Sequence, residues 1–379
     1  MRWILQVCTR TFFGLSIALS AGLVVAADVV IGQVVPLSGV VASTGQQLTV
    51  GAKIYFDHIN ATGGVHGQKI TLRVMDDGYK GEETVRLAKE LLEQPEVLAL
   101  FGFAGTANIG RLLENKMLEQ SGVALVAPYT GGESLRKPFN PWIFHVRAGL
   151  SEEAEHLVQH VSTLGMKRIA VMYQDDTFGR AGLAAVEAAM GKRGLKVLSA
   201  ASYERNTDKV EDAVARLRVA DAQAMIMFSP SKPAAAFIKG YREAGGGAQL
   251  YNVSVVDPGE VIKIAGLKNA HGFGISQVVP YPYLANMPVT REYQALLSKY
   301  AADQQVTYAS FEAFLGAKVL VEALRRAGPN PTRSRVVKAL ESLGTLDLGG
   351  FSISYGANNR IGSRFVEVTV IGSTGKLLK

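Results

Sequence analysis

Two glycine-bearing loops carry the residues best suited to chemistry. The first reads Gly102-Phe103-Ala104-Gly105-Thr106-Ala107-Asn108 and follows an apolar run, Val97 to Phe101. A strand end, two glycines and a small hydroxyl residue there open a helix. Free N–H groups at a helix start attract an anion. Glycine lets a ligand approach the backbone, and the Thr106 hydroxyl adds a donor. A carboxylate satisfies such a loop without the lysine of a phosphate-binding loop. The same residues also suit a plain N-cap by Thr106. The second loop, Pro128-Tyr129-Thr130-Gly131-Gly132-Glu133, follows the apolar run Val123 to Ala127. Consecutive strands usually lie side by side, so the two loops converge on one spot at a sheet's carboxyl edge. A third loop, Tyr173 to Gly179, ends a strand and opens a helix, with Phe178 placed to wall the far side of a cleft.

Other chemistries lack their residues. The sequence holds no G-x-S-x-G elbow, no G-x-x-x-x-G-K-[ST] loop and no H-E-x-x-H helix, and no G-x-G-x-x-G follows its first strand. The adjacent acids Asp76-Asp77 and Asp175-Asp176 follow apolar strands, where open α/β sheets place ligand loops. Neighbouring side chains point apart, so neither pair forms a two-carboxylate machine, and both also suit solvation or helix capping. His156 and His160 share one helix face at i, i+4, a metal-compatible spacing, but two ligands alone are not a site. No metal, cofactor or enzymatic activity is expected.

The elements that must position these loops follow from hydrophobic periodicity. Val29 to Val35 reads as a strand, Gln46 to Asn60 as a helix and Lys69 to Asp76 as a strand. Glu82 to Gln94 and Thr106 to Gln120 read as helices between the apolar strands. Alternating β and α with short turns makes residues 29–146 one doubly wound unit with a parallel sheet. A second such unit starts at Ser151 and runs through strands at Arg168 to Tyr173, Lys196 to Tyr203, Ala224 to Phe228 and Leu250 to Ser254. A crossing segment rich in proline and tyrosine, Gln277 to Pro288, breaks the pattern. Three helical stretches follow, Val289 to Asp303, Ser310 to Ala327 and Thr332 to Ser342, then a strand–turn–strand end, Gly349 to Leu378. The expectation is two α/β lobes joined by several crossings, with a cleft between them.

Composition narrows the setting. The chain has 379 residues, 48% of them apolar and 19% charged, which is a globular composition long enough for two domains. Residues 1–27 read as a secretory signal peptide: basic Arg2 and Arg10, the apolar run Phe12 to Val25, then Val25-Ala26-Ala27 before Asp28. The run is about 14 residues, short of the roughly 20 that span a bilayer. Cleavage near Ala27 would export the chain to an oxidising space and remove its one cysteine, Cys8, so no disulfide or thiol chemistry is expected. The formal charge of +7 falls with the two signal arginines, and no basic run supports nucleic-acid binding.

Ordered motifs make the chain similar to one family. Gly32-Gln33-Val34-Val35-Pro36-Leu37-Ser38-Gly39 with Gly45 following, Gly51-Ala52, and Ile59-Asn60-Ala61-Thr62-Gly63-Gly64-Val65-His66-Gly67 come first. Asp76-Asp77, Arg168-Ile169-Ala170-Val171, the D-x-x-[YF]-G of Asp175 to Gly179 and Arg242-Glu243-Ala244-Gly245 follow. In this order and spacing, from Asp28 to about Lys338, the chain resembles a type I periplasmic solute-binding protein of the leucine/isoleucine/valine-binding family.

The resemblance implies an α/β fold of two Rossmann-like lobes with parallel sheets and a hinged cleft. Residues 28–147 plus about 278–350 would form one lobe, and 148–277 plus about 351–379 the other. It implies a monomer that closes over a small carboxylate, such as a branched-chain or other amino acid, and delivers it to an ABC transporter permease. The carboxylate would be held by the loops of Phe103, Gly105 and Thr106 and of Tyr129, Thr130 and Gly131. Thr44 falls where an aromatic residue often covers the ligand, Phe178 at the second lobe's Tyr/Phe, and Ser231 near another contact. Amino-acid binders place an acid after the strand that here ends at Ser254; this chain has Val255-Val256-Asp257-Pro258, with Asp257 nearby. Tyr281 and Tyr283 would add an aromatic pocket. An aromatic or aliphatic acid as ligand, a sensor docking on a receptor, and an exported α/β enzyme are the alternatives.

Overall fold

The computed structural model describes residues 28–379; the signal-like segment lies outside the described residues. The first sheet holds β1 (Val29–Val35), β2 (Ile70–Asp76), β3 (Val97–Phe101), β4 (Ala124–Val126) and β5 (Ile143–Phe144). All pair in parallel in the order β2-β1-β3-β4-β5. β1 is buried along its whole length, as a continuous apolar run inside a covered parallel sheet must be. The second sheet starts with β6 (Ile169–Gln174), β7 (Ser199–Tyr203), β8 (Ala224–Phe228), β9 (Gln249–Asn252) and β10 (Gly274–Gln277). A small hairpin, β11 (Gly344–Asp347) with β12 (Ser352–Tyr355), comes next in the chain. β13 (Glu367–Ile371) and β14 (Leu377–Leu378) then close the second sheet in the order β14-β13-β10-β9-β8-β6-β7. β6 to β10 are parallel, whereas β13 pairs antiparallel with β10, and β14, reached by a short turn that leaves no room for a crossover helix, pairs antiparallel with β13.

Helices α1 (Ala42–Ala61), α2 (Gly81–Leu92), α3 (Thr106–Glu114) and α4 (Met117–Ser121) link the strands of the first sheet. The single helix expected over Thr106 to Gln120 is two, because Asn115 ends the first and Lys116 turns to φ +53°. Helices α5 (Leu150–Thr163), α6 (Thr177–Gly191), α7 (Glu211–Arg218), α8 (Ser231–Glu243), α9 (Pro258–Ala265) and α10 (Leu267–Ala270) accompany the second sheet. The short helix α9 was not anticipated, although Asp257 followed by Pro258 is a strong helix start.

The three late helices, α11 (Pro288–Tyr300), α12 (Tyr308–Ala327) and α13 (Arg333–Glu341), return to the first lobe. Nearly all of α12 is buried, and a helix buried on all sides must lie between other elements. It packs on α1 where Gly51 admits the Ser310 carbonyl; a Cβ on Gly51 would sit 1.9 Å from that oxygen. Its Gly316 lies against Ala127 and Phe101 of the first sheet. The chain thus passes between lobes before α5, after β10 and between Tyr355 and Glu367. Among the described residues no helix is long and apolar enough to cross a membrane.

Candidate functional site

The carboxyl ends of β1 to β4 face those of β6, β8 and β9 across a narrow cleft. The first lobe lines it with Val41, Thr44, Tyr79, Ala104, Gly105, Tyr129 and Thr130, the second with Phe178, Pro230 and Val255. Thr44 is held there because Gly45 lets the start of α1 approach β1's exit; a Cβ on Gly45 would stand 1.9 Å from the Pro36 carbonyl oxygen.

The two glycine loops meet as their strands require. The Tyr129 N–H donates to the Phe103 carbonyl at 2.8 Å, so the loops run on in parallel past β3 and β4. The Thr106 and Thr130 hydroxyls hydrogen-bond at 2.6 Å, and Thr130 Oγ1 also accepts from the Gly132 N–H at 3.1 Å. Gly105, at φ +94°, is the N-cap of α3, and no side chain caps that helix. Thr106 therefore is not the cap, and the first-turn N–H groups are left to the cleft. A Cβ on Gly105 would lie 2.7 Å from Tyr79 Cε2, so glycine is required for both shape and φ. Gly131 accepts the Leu150 N–H at 2.8 Å and ties the second loop to the start of α5.

Tyr129 spans the cleft: its hydroxyl donates to the Ser254 carbonyl at 3.1 Å, and the Arg147 guanidinium lies 4.9 Å from its ring centre. Burial, then the Glu312 charge, pushes its phenol well above the ordinary range. Arg147 is fully buried and pairs with Glu153 at 3.3 Å and Glu312 at 3.5 Å, while also donating to the Ser254 hydroxyl. Glu153 accepts from the Ser254 N–H and the Ser276 hydroxyl. Burial outweighs Arg147 at Glu312, and Glu153 adds repulsion, so its carboxyl rises to about 7.

The strand-end acids are structural. Asp176 caps α6 through the Gly179 N–H at 3.1 Å and pairs with Arg205 at 3.0 Å. This cap fixes Phe178 in the first turn, packed edge-on against Phe228. Asp77 accepts from Thr84, Asn108 and the Tyr79 N–H. Asp76 accepts from the Leu37 and Gly78 N–H groups, and Asp175 pairs with Arg180. His160 packs against Tyr251, and among the described residues no group of three or more His, Cys, Asp or Glu is placed to hold a metal.

Four expected site residues stand elsewhere or act indirectly. Phe103 points into the core behind β3 and contributes its backbone only. Ser231 opens α8 and accepts the Asp257 N–H at 2.9 Å. Asp257 caps α9 through the Glu260 N–H at 2.8 Å and accepts from Gln47 of α1 at 3.4 Å. With Tyr281 and Tyr283 it lines a separate cavity of about 500 Å³ beside the cleft, where the Tyr281 hydroxyl donates to the Leu377 carbonyl. Conversely, Tyr79 was overlooked, although it follows a strand-end Asp-Asp-Gly and so obeys the rule that found the other loops. Its ring carries the Arg205 guanidinium at 4.1 Å, and its hydroxyl accepts from Gln174 at 3.3 Å. Arg205 also donates to Asn108 across the cleft, a contact between residues 97 apart with no local signal.

Known proteins share this fold. The family described as periplasmic binding protein matches residues 28–376. A substrate-binding periplasmic protein from Ralstonia solanacearum is 37% identical, with a TM-score of 0.89 over 93% of this chain and 99% of that one. Leu/Ile/Val-binding protein homolog 8 from Brucella abortus is 24% identical over 371 residues, 91% of this chain and 89% of that protein. An amino acid binding protein from Pseudomonas aeruginosa is 26% identical over 242 residues, 63% of this chain; the match spans 64% of that protein's length. Two α/β lobes, a cleft at their strand ends and a family match over nearly the whole chain agree: this chain belongs to the periplasmic binding proteins, which bind solutes and are not enzymes.

Proposed function

We propose that this chain is the periplasmic substrate-binding component of an ABC uptake transporter, closing its two lobes over a small carboxylate and presenting it, as a monomer, to a membrane permease. The observation that carries this reading is the uncapped start of α3 at Gly105 and the Thr130 hydroxyl on the wall of the cleft, with the buried Thr106 hydroxyl bonded to Thr130 beside them. Two neutral hydroxyls and several N–H groups satisfy an anion that brings one negative charge and flat geometry. The names of the Brucella and Pseudomonas relatives, which point to amino acids, support the same ligand class. Gly105, Thr106, Tyr129 and Thr130 would hold the carboxylate, with Gly131 fixing the second loop. Thr44, Tyr79, Phe178 and Val255 would enclose the rest.

A thermal-shift screen of amino acids, aliphatic acids and aromatic acids tests the proposal. A ligand at 100 times its dissociation constant adds about 2.7 kcal/mol to stability, which a melting curve resolves. Stabilisation by at least one carboxylate, and none by the matching amide, is the expected result. A screen in which amides stabilise as well as acids would remove the carboxylate from the reading.

A further inference from the structure

We infer that the ligand is a monocarboxylate with no ammonium group beside its carboxyl and with an apolar or aromatic remainder. The inference rests on the carboxylate reading and narrows it. Beyond the hydroxyls of Thr44 and Thr130, the cleft wall is formed by Val41, Tyr79, Tyr129, Phe178, Pro230 and Val255 and contains no acid. The acids around it are already engaged, Glu260 of α9 with the Ser231 and Ser43 hydroxyls. Asp77 accepts three hydrogen bonds within the first lobe. Asp176 caps α6 and pairs with Arg205. Asp257 caps α9, accepts from Gln47 and lines the neighbouring cavity instead. Glu153 and Glu312 share Arg147.

The two tyrosine rings offer a cation no better welcome. Each already has a guanidinium against it, Arg147 at 4.9 Å from Tyr129 and Arg205 at 4.1 Å from Tyr79. A ligand ammonium would therefore lose its water and meet no carboxylate, and among the aromatic rings of the wall only Phe178 is without a guanidinium already against it. An ammonium-free acid meets no such penalty, and its carbon skeleton gains from the apolar wall.

Calorimetry on matched pairs that differ only in the ammonium group decides the matter: isovalerate with valine, isocaproate with leucine, hydrocinnamate with phenylalanine. The expected result is that the ammonium-free member of at least one pair binds, and binds at least about 100-fold more tightly than its amino acid, as an unpaired buried charge demands. Tighter binding of the amino acid overturns this inference and leaves the carboxylate reading standing. Binding of none of the six at millimolar concentration overturns both. Val255→Asp supplies the missing acid beside Ser254, whose carbonyl holds the Tyr129 hydroxyl. In a variant shown folded by circular dichroism, the preference should shift toward the amino acid by tenfold or more, on the order of a single new charge pair. An unchanged preference in the folded variant also counts against the inference.

Discussion

At the scale of single residues, Thr106 and Gly105 do different work at the same point. Thr106 offers a hydroxyl held in place by Thr130 at 2.6 Å. Thr106→Ala should weaken binding of the screened carboxylate by about 1–3 kcal/mol, the worth of a hydrogen bond to a charged group, while Thr106→Ser keeps most of it. Calorimetry that finds equal affinity for the alanine variant removes Thr106 from the site. Gly105 offers backbone: at φ +94° a side chain is strained and would press on Tyr79. Gly105→Ala should therefore cost about 1–3 kcal/mol of stability and distort the loop, seen as a lower denaturation midpoint together with weaker binding. The loop that carries both residues was legible in the sequence, because a strand end, a glycine and a hydroxyl are local features. Phe103 was misleading for an equally local reason: successive side chains in extended chain face opposite ways, and Phe103 takes the core side. Arg205 was invisible because its partners Asn108 and Tyr79 lie in another lobe.

At the scale of elements, apolar runs such as β1, β3 and β8 were readable because a covered parallel strand tolerates little else. The α3–α4 break and the β11–β12 hairpin were not, since each depends on what the chain packs against. The same holds for the ionic cluster where β5 gives way to α5, which joins Arg147 and Glu153 to Glu312 of α12. Burial, and then the repulsion of Glu153 beside the one guanidinium, make Glu312 retain its proton more readily. Glu312 rises from an ordinary 4.5 to about 7 in the folded chain. Below about pH 4.5 it is protonated in both folded and unfolded states, and its contribution to stability is complete. As pH rises toward 7 the unfolded chain releases this proton while the folded one retains it, so that stability is lost. Glu312→Gln cannot titrate and should be spared the loss. Urea denaturation of both proteins at about pH 5 and about pH 7.5 should show the variant gaining on the wild type by on the order of 2 kcal/mol. A constant difference between them would mean that Glu312 titrates normally. Arg333 illustrates the purely structural case: it donates to the Leu92, Gln94 and Val97 carbonyls and pins α13 to the first sheet. Arg333→Ala should lower stability by about 1–3 kcal/mol and leave ligand affinity unchanged, because its contacts lie far from the strands' carboxyl ends.

At the scale of the whole molecule, the lobes touch across the cleft through a few polar contacts. Tyr129 reaches Ser254, Gln47 reaches Asp257, Gln174 reaches Tyr79 and Asn206 reaches Gly78. Arg205 makes the most extensive of these bridges, stacking on Tyr79 and bonding to Asn108 while its own lobe's Asp176 holds its charge. Such contacts are lost if the lobes swing apart, so on the proposed closure they bias the open–closed equilibrium. If the binding-competent form is the closed one, apparent affinity scales with its population. Arg205→Lys preserves the charge beside Asp176 but loses the planar stack and the second N–H donor. It should weaken apparent affinity by about 5- to 30-fold, the equivalent of roughly 1–2 kcal/mol, with most of the change in the dissociation rate. Small-angle scattering of the ligand-free variant should show a larger radius of gyration than the wild type, and saturating ligand should restore the compact form. Equal radii combined with weaker binding would place Arg205 among the ligand contacts instead, since a residue that only latches the lobes must change how often they are open.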